Sequence, residues 1–256
     1  MVSASLLRAQ IESVLAPRVP VVFSTGTQTS RPLQATGIGA LDHLLGGGLP
    51  IGAVCEVFGP ECSGRTSLAL SFLAQVTRQG SACAWIDVAD SLDPESAAAS
   101  GVDLSRLLWV RCAETSTPQK RGAKSKPWSR LDQALRAADL VLQAGGFGAV
   151  VFDMGAVAPE HALRVPLASW FRFRQAAERT QSTFLLLSQI SCAKSCSAMQ
   201  LRLDRLKTRH ENQQVLSGLQ FQAELVRDRN LSFTAGKKPS ASVAAWGQPC
   251  SWAGEV

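Results

Sequence analysis

The chain has 256 residues, a hydrophobic content of 46% and a formal net charge of +6. These values predict one large domain with small appendages and give a weak indication of anionic partners. We recognise no apolar run long enough to cross a membrane and no secretory signal peptide, so we expect a cytoplasmic protein. Its seven cysteines show no tight disulfide spacing, which predicts reduced thiols.

The first 34 residues predict a helix followed by an arm. Apolar residues recur at helical spacing over residues 5–16, and Pro17 ends this short amphipathic helix. A polar stretch that contains proline follows, with a short apolar run at 19–23 that suits one strand. We therefore assign residues 1–34 to an N-terminal helix and arm.

Residues 35–234 predict a core in which strands and helices alternate. The predicted strands are 53–58, 83–88, 107–110, 149–152 and 183–188, and the predicted helices are 66–79, 129–143 and 167–180. Such alternation is typical of an α/β fold with a mostly parallel central sheet flanked by helices. Beyond residue 201 the helical pattern stops, and 201–206 and 221–229 predict antiparallel C-terminal strands.

Two segments depart from this pattern. Residues 114–130 are polar and basic and contain proline and glycine, which predicts a flexible basic insertion in the core. Residues 235–256 are rich in serine, proline and glycine, which predicts a flexible C-terminal tail.

Residues 59–67 have the outline of a phosphate-binding P-loop, G-x-x-x-x-G-K-[ST], with arginine at the lysine position. A predicted strand precedes the loop and a predicted helix follows it, as such a site requires. Backbone N–H groups in this arrangement point at phosphate oxygens. The candidate nucleotide-binding residues are Gly59, Pro60, Glu61, Cys62, Ser63, Gly64, Arg65, Thr66 and Ser67.

Arg65 leaves two interpretations open. Arginine keeps the positive charge of lysine but is bulkier and planar, so the loop either binds nucleotide with altered geometry or is a relic that keeps only the turn. Thr66 stands where a hydroxyl ligand of Mg²⁺ belongs. Asp153 follows a buried strand and suits a carboxylate that orients a Mg²⁺-bound water, although a lone aspartate there is usually a turn or cap. We therefore predict ATP and Mg²⁺, with Thr66 and Asp153 holding the metal, in a weakened site.

An ordered series of segments resembles RecA-type recombinases over about residues 35–234. Besides the P-loop, the series comprises 36–42 (TGIGALD), 46–50 (GGGLP), 84–94 (AWIDVADSLDP), 101–108 (GVDLSRLL), 185–190 (LLLSQI) and 225–230 (LVRDRN). The resemblance implies a RecA-like P-loop NTPase core.

The resemblance also implies roles for four further residues. Asp93 matches the residue that contacts the adenine amino group, and Gln189 matches the glutamine that senses the γ-phosphate. Arg227 and Arg229 match a lysine pair that reaches the ATP of a neighbouring subunit, which leaves homo-oligomer formation open. The alternative for these arginines is a solvent-facing basic strand edge.

Several family features are altered. The water-activating glutamate of the family falls at Ala89, so no catalytic residue is assigned and we expect at most a weak ATPase. The adenine-stacking aromatic falls in the alanine run 97–99. The segments that match the two DNA-binding loops, 154–166 with its single basic residue Arg164 and 191–196, are short.

A RecA-like core with shortened loops resembles the ImuA group of bacterial accessory proteins. This resemblance implies a role in DNA-damage tolerance, with translesion synthesis and SOS mutagenesis, through binding of an ImuB-type polymerase homologue and of RecA. It also leaves nucleoid association open. The alternative function is a DNA-stimulated ATPase or recombinase of the RecA type. Two basic stretches suit either DNA contact or a solvated surface, namely 120–130 and the set Lys194, Arg202, Arg205, Lys207 and Arg209.

Overall fold

The computed structural model describes residues 31–112, 128–211, 215–229 and 241–247. The expected N-terminal helix at 5–16 and the apolar run at 19–23 lie outside the described residues, as does most of the basic insertion. In the described ranges no helix has both the length and the apolar character needed to span a bilayer.

Within the described ranges, ten strands form two sheets. A two-stranded antiparallel ribbon pairs β1 with β2, and an eight-stranded sheet has the order β10-β9-β8-β3-β7-β6-β4-β5. The strands are β1 Leu33–Gln34, β2 Leu49–Pro50, β3 Val54–Phe58, β4 Ala82–Asp87, β5 Leu107–Arg111, β6 Phe147–Asp153, β7 Thr183–Ser188, β8 Met199–Glu211, β9 Val215–Asp228 and β10 Ala241–Gly247.

Six α-helices are described along the chain. They are α1 Gly39–Leu44, α2 Arg65–Arg78, α3 Pro94–Ala99, α4 Trp128–Ala144, α5 Pro159–Arg164 and α6 Leu167–Thr180. Side chains of a strand alternate between the two faces of the sheet, so two cores result. On β6, for example, Val151 belongs to the core that includes Phe72 of α2, and Phe152 belongs to the core that includes Phe173 of α6.

The predicted fold class is confirmed. Six neighbouring strands of the large sheet, in the order β8-β3-β7-β6-β4-β5, pair in parallel. At the β8 end, β9 pairs antiparallel with β8, and β10 pairs antiparallel with β9. Strands β8 and β9 extend beyond the predicted 201–206 and 221–229, because their pairing continues to Glu211 opposite Val215. Backbone pairing holds this extension although its sequence is mostly polar.

The structure corrects two predicted boundaries. Residues 241–247 fall in the expected flexible tail, yet they form β10, which pairs with β9 from Ala241 opposite Glu224 to Gly247 opposite Gly218. The serine-, proline- and glycine-rich composition concealed this strand, because hydrogen bonding to a neighbouring strand overrides weak local propensity. Helix α4 begins at Trp128, so residues 128–130 of the expected insertion belong to a helix.

Candidate nucleotide-binding site

Four parallel strands place the candidate residues at one edge of the sheet. Strand β3 leads into the P-loop, β4 and β6 end at Asp87 and Asp153, and Gln189 follows β7. The carboxyl ends of parallel strands share an edge, and ligands of open α/β sheets bind there. The sheet order therefore brings sequence-distant candidates together, with β7 lying between the P-loop strand and the strand that carries Asp153.

The P-loop has the backbone conformation of a phosphate cradle. Gly64 adopts a left-handed conformation, with φ of 93°, directly before α2, and it supplies no side-chain cap. The first amides of this 14-residue helix are therefore available to an anion. At Gly59 a Cβ atom would lie 2.0 Å from the carbonyl oxygen of Leu203. Only glycine lets the loop pass this close to β8.

A pocket of about 220 Å³ lies over the loop. It is lined by Glu61, Cys62, Arg65, Thr66, Ser91, Asp153, Gly155, Ala156 and Leu187. Two buried polar atoms at the loop, Ser63 Oγ and Arg65 Nη1, have no hydrogen-bond partner. Unpaired buried donors are costly, and phosphate oxygens would satisfy them. The residues present therefore fit the phosphate chain of a nucleotide.

Arg65 turns toward the strand that carries Asp153. Its side chain is 8% exposed, and Nη2 donates a hydrogen bond to the Gly155 carbonyl at 3.4 Å. Burial lowers the pKa of the guanidinium, while the charge of Asp153 and then that of Glu61 raise it. Gln189 Nε2 donates to the same carbonyl at 3.1 Å. The loop cation and the glutamine thus meet at one backbone oxygen.

Asp153 is buried beside a second carboxylate. Burial raises the pKa of Asp153 to about 6, a hydrogen bond from the Gly155 N–H lowers it, the charge of Asp87 raises it, and Arg65 lowers it. That hydrogen bond, from Gly155 N to Asp153 Oδ1, measures 2.8 Å. Desolvation disfavours the charged carboxylate, so this position favours a neighbouring cation.

Asp87 lies opposite Asp153 in the register of β4 and β6 and orders the turn that follows β4. Its carboxylate accepts hydrogen bonds from the backbone N–H groups of Ser91 at 2.9 Å and Leu92 at 2.8 Å. Trp109 Nε1 also donates to it, at 3.3 Å. We did not assign Asp87 a role from the sequence, although an aspartate at the end of a buried strand was the available signal.

The predicted Mg²⁺ ligands share the pocket with a fixed positive charge. Thr66 and Asp153 both line the pocket, as does Arg65. The Gly155 carbonyl accepts from Arg65 Nη2 while the Gly155 N–H donates to Asp153 Oδ1, so the guanidinium lies on the Asp153 side of the pocket. The pocket accommodates a nucleotide's phosphates, but a divalent ion held by Thr66 and Asp153 would lie beside the Arg65 charge, which is an unfavourable arrangement.

The turn after β4 brings no carboxylate into the pocket. The family glutamate position is Ala89, and the adjacent Asp90 forms a two-pronged ion pair with Arg111 on the edge strand β5. Its two N···O distances are 2.6 and 2.7 Å, and this hydrogen bonding lowers the pKa of Asp90. Asp90 is not among the lining residues, which include Ser91 instead.

The predicted residues Asp93, Arg227 and Arg229 are not among those that line the pocket. Asp93 caps α3, and the pKa of its carboxyl group is lowered first by a hydrogen bond from the Ser96 hydroxyl and then by those from the backbone N–H groups of Ser96 and Glu95. Arg227 Nη1 donates to the Lys194 carbonyl at 2.6 Å, and Arg229 follows β9. An adenine contact for Asp93 and a role for the two arginines at a neighbouring subunit's nucleotide stay predictions.

A buried glutamate that we did not single out fixes the loop after β7. Glu56 on β3 is 0% exposed. It accepts hydrogen bonds from Cys192 N at 2.5 Å, Ala193 N at 3.0 Å and Ser191 Oγ at 3.0 Å. Gln200 Nε2 on β8 donates at 2.8 Å. An acidic residue in an otherwise apolar strand was the signal in the sequence.

The segments that match DNA-binding loops are compact. Residues 154–166 contain helix α5 and return directly to α6. Residues 191–196 include a short 3₁₀ turn, Lys194–Cys196, and are held by Glu56. Helix α5 takes up six of the thirteen residues of the first segment, and buried hydrogen bonds to Glu56 hold Cys192 and Ala193 of the second.

The P-loop joins strand β3 to helix α2, and Asp153 ends β6, which is separated from β3 by one strand, β7. This arrangement defines a P-loop α/β protein. The family profile of the RecA N-terminal domain matches residues 10–195, and the chain belongs to this family. Protein RecA of Rubrobacter xylanophilus is 42% identical over 135 residues, which is 52% of this chain and 35% of that protein. RecA of Saccharopolyspora erythraea and of Frankia alni are 38% and 39% identical over equal lengths. The match thus spans about a third of each relative.

We expect Asp153→Asn to raise the free energy of unfolding at pH 7.5, by up to about 3 kcal/mol. The folded-state pKa of Asp153, about 6, exceeds the usual aspartate pKa of 3.8, so the folded protein binds the proton more tightly than the unfolded chain. The free energy of unfolding therefore falls as the pH rises from 3.8 to about 6. Asparagine cannot ionise and keeps the acceptor for Gly155 N, so Asp153→Asn removes this loss of stability. Urea denaturation in EDTA from pH 4 to 8 measures the effect.

The matched control is the exposed Asp204, which pairs with Arg202 at 3.1 Å. Asp204→Asn is expected to change stability little at any pH, because exposed ion pairs contribute little. A gain for Asp153→Asn that is equally large at pH 4 would contradict the assigned cause.

Proposed function

We propose that this protein is a RecA-like accessory factor in DNA-damage tolerance, acting in translesion synthesis and SOS mutagenesis. It binds an ImuB-type polymerase homologue and RecA, and its nucleotide site is degenerate. The observation that carries this proposal is the turn after β4, where Ala89 replaces the expected glutamate and Asp90 is paired away with Arg111. The pocket keeps its phosphate donors but has no carboxylate at that turn to activate water.

The compact loops support an accessory role over strand exchange. Residues 154–166 fold into α5, and 191–196 are fixed to the buried Glu56, so neither is free to wrap a DNA strand. A protein that exchanges its bound nucleotide slowly, or does not hydrolyse it, serves as a binding module. Its partners are then other proteins of the damage response, and ATP stabilises the state that they recognise.

The alternative is a DNA-stimulated ATPase or recombinase of the RecA type. Gln189 lies beside the pocket through its hydrogen bond to Gly155, as a γ-phosphate sensor requires. Arg227 and Arg229 at the end of β9 suit an intersubunit role. On β8 the exposed Arg202, Arg205 and Lys207 offer basic charge, although Arg202 is paired with Asp204. Salt-titrated binding to single-stranded DNA tests this surface.

One experiment with two readouts separates the two functions. The immobilised full chain is offered the purified ImuB-type homologue and RecA in turn, with and without ATP, and ATP turnover is measured on the same preparation. We expect retention of the polymerase homologue and turnover roughly a hundredfold or more below that of a RecA protein. A partner-binding failure combined with fast, DNA-stimulated turnover that Asp153→Ala abolishes would establish the alternative.

The double variant Ala89→Glu, Arg65→Lys is the complementary arm. It restores the family residues at the two altered positions of the pocket. A rise in turnover with unchanged partner retention supports the accessory role of the natural chain. If the natural chain already turns over ATP quickly and this variant is no faster, the missing carboxylate at Ala89 does not limit ATP turnover.

A further inference from the structure

We propose that the pocket binds the phosphates of a nucleotide without Mg²⁺, with the Arg65 guanidinium taking the electrostatic place of the metal ion. This inference rests on the nucleotide pocket of the proposed function. It goes further by assigning the charge that accompanies the ligand, and it turns the poor fit of Mg²⁺ into a property of the site.

The orientation of Arg65 is the first step. A lysine in this loop is a compact point charge, whereas arginine carries several donors in a rigid plane. Here Nη2 is held by the Gly155 carbonyl at 3.4 Å, and Nη1 is buried without a hydrogen-bond partner. One edge of the guanidinium is therefore fixed to the β6 side of the pocket, and the other is left for an acceptor. A phosphate oxygen is the acceptor that such a loop presents.

The surrounding charges are the second step. Asp153, Glu61 and the Cys62 thiol are the groups that act electrostatically on Arg65, in that order. Asp153 is buried opposite Asp87 in the strand register, and Gly155 joins it to Arg65 by accepting from the guanidinium and donating its N–H to the carboxylate. A divalent ion placed between a phosphate and Asp153 would lie beside a desolvated guanidinium. Like charges in a dry site repel strongly, so Arg65 and Mg²⁺ compete for one position.

The loop itself is the third step. Gly64 in its left-handed conformation opens the first turn of α2 to an anion, and Ser63 Oγ is buried at the loop without a partner. Backbone amides, this hydroxyl and Arg65 Nη1 provide donors for a phosphate chain without any metal bridge. Thr66 then acts as a hydroxyl donor to phosphate.

Isothermal titration calorimetry with ATP, in buffer containing either Mg²⁺ or EDTA, tests this inference on the full chain. For the natural protein we expect the two dissociation constants to agree within about threefold. In Arg65→Lys the shorter side chain leaves Gly155, and we expect ATP to bind at least about tenfold more tightly with Mg²⁺ than with EDTA. Thermal unfolding of each variant establishes that it is folded.

Asp153→Asn gives a second, opposite-signed readout. If Arg65 replaces the metal, removing the Asp153 charge strengthens ATP binding in EDTA, because the guanidinium is then shared only with phosphate. If Mg²⁺ is required, the same change instead weakens ATP binding in the buffer that contains Mg²⁺, because it removes a metal-orienting carboxylate. Asp204→Asn, on the exposed part of β8, is the control and should leave both constants unchanged.

Two outcomes overturn the inference. One is a natural protein that binds ATP at least about tenfold more tightly with Mg²⁺ than with EDTA. The other is the absence of ATP binding in both buffers. Neither outcome affects retention of the polymerase homologue measured without ATP, so failure of the metal-free site and failure of the accessory function are distinguished.

Discussion

Replacing Phe173 with alanine is expected to lower the free energy of unfolding by about 3–5 kcal/mol. Phe173 on α6 is 0% exposed, and its ring lies 5.3 Å from Phe184, 5.9 Å from Trp170 and 6.3 Å from Phe152, centroid to centroid. These aromatic side chains form the centre of the core between α6 and the sheet. Truncation leaves a cavity that rigid neighbouring rings cannot fill.

Phe171 supplies the matched control. It lies two residues away on the same helix but is 42% exposed, so Phe171→Ala removes the same atoms with far less loss of burial. We expect this variant to cost no more than about 1 kcal/mol. Urea denaturation followed by tryptophan fluorescence measures both. Equal costs for the two variants would mean that the aromatic cluster is not the centre of this core.

The parallel half of the fold was predictable because burial on both faces of a strand leaves a strong mark in sequence. Runs such as 149–152 and 184–187 are continuously apolar, and helical patterns between them leave parallel pairing as the simplest arrangement. The antiparallel end was harder. Its outer strands extend through polar residues, and β10 lies within residues 235–256, whose serine, proline and glycine content is typical of a tail. Backbone hydrogen bonding to a neighbouring strand, which has no local signature, decides both.

The candidate site was predictable in its composition but not in its contacts. The P-loop and Asp153 were assigned from their places at strand ends and Gln189 from the family resemblance, and the structure brings them to one edge of the sheet. The contact of Arg65 with Gly155 joins residues 90 positions apart, and that of Glu56 with Cys192 joins residues 136 apart. Such contacts depend on strand order and loop conformation, which no local pattern encodes.

The alterations around the pocket are physically connected. Arg65 and Gln189 share the Gly155 carbonyl, Gly155 N binds Asp153, and Asp87 orders the turn where Ala89 replaces the expected glutamate. In the metal-free site that we propose, the Arg65 guanidinium supplies the positive charge on the β6 side, and with alanine at position 89 the turn after β4 has no carboxylate to activate water.

Glu56→Ala is expected to lower the free energy of unfolding by about 3–5 kcal/mol, the second large effect in this protein. The carboxylate is buried and receives hydrogen bonds from Cys192 N, Ala193 N, Ser191 Oγ and Gln200 Nε2. Alanine leaves the two backbone donors inside the protein without an acceptor, which costs more than the bonds themselves contribute. Amide hydrogen exchange at Cys192 and Ala193 should accelerate, because their N–H groups lose this protection.

Two variants show whether the buried network causes this loss. Glu178→Ala removes a glutamate that is 54% exposed and pairs with Arg31 at 2.8 Å, and we expect a cost of about 1 kcal/mol or less. Glu56→Gln keeps one oxygen for the two backbone N–H groups. Its loss of unfolding free energy should therefore lie between those of Glu56→Ala and Glu178→Ala. If Glu56→Ala costs no more than Glu178→Ala, the loop after β7 is held by its own packing. If the ordering is as expected, loosening this loop should also weaken ATP binding, since Gln189 at its start contacts the carbonyl that positions Arg65.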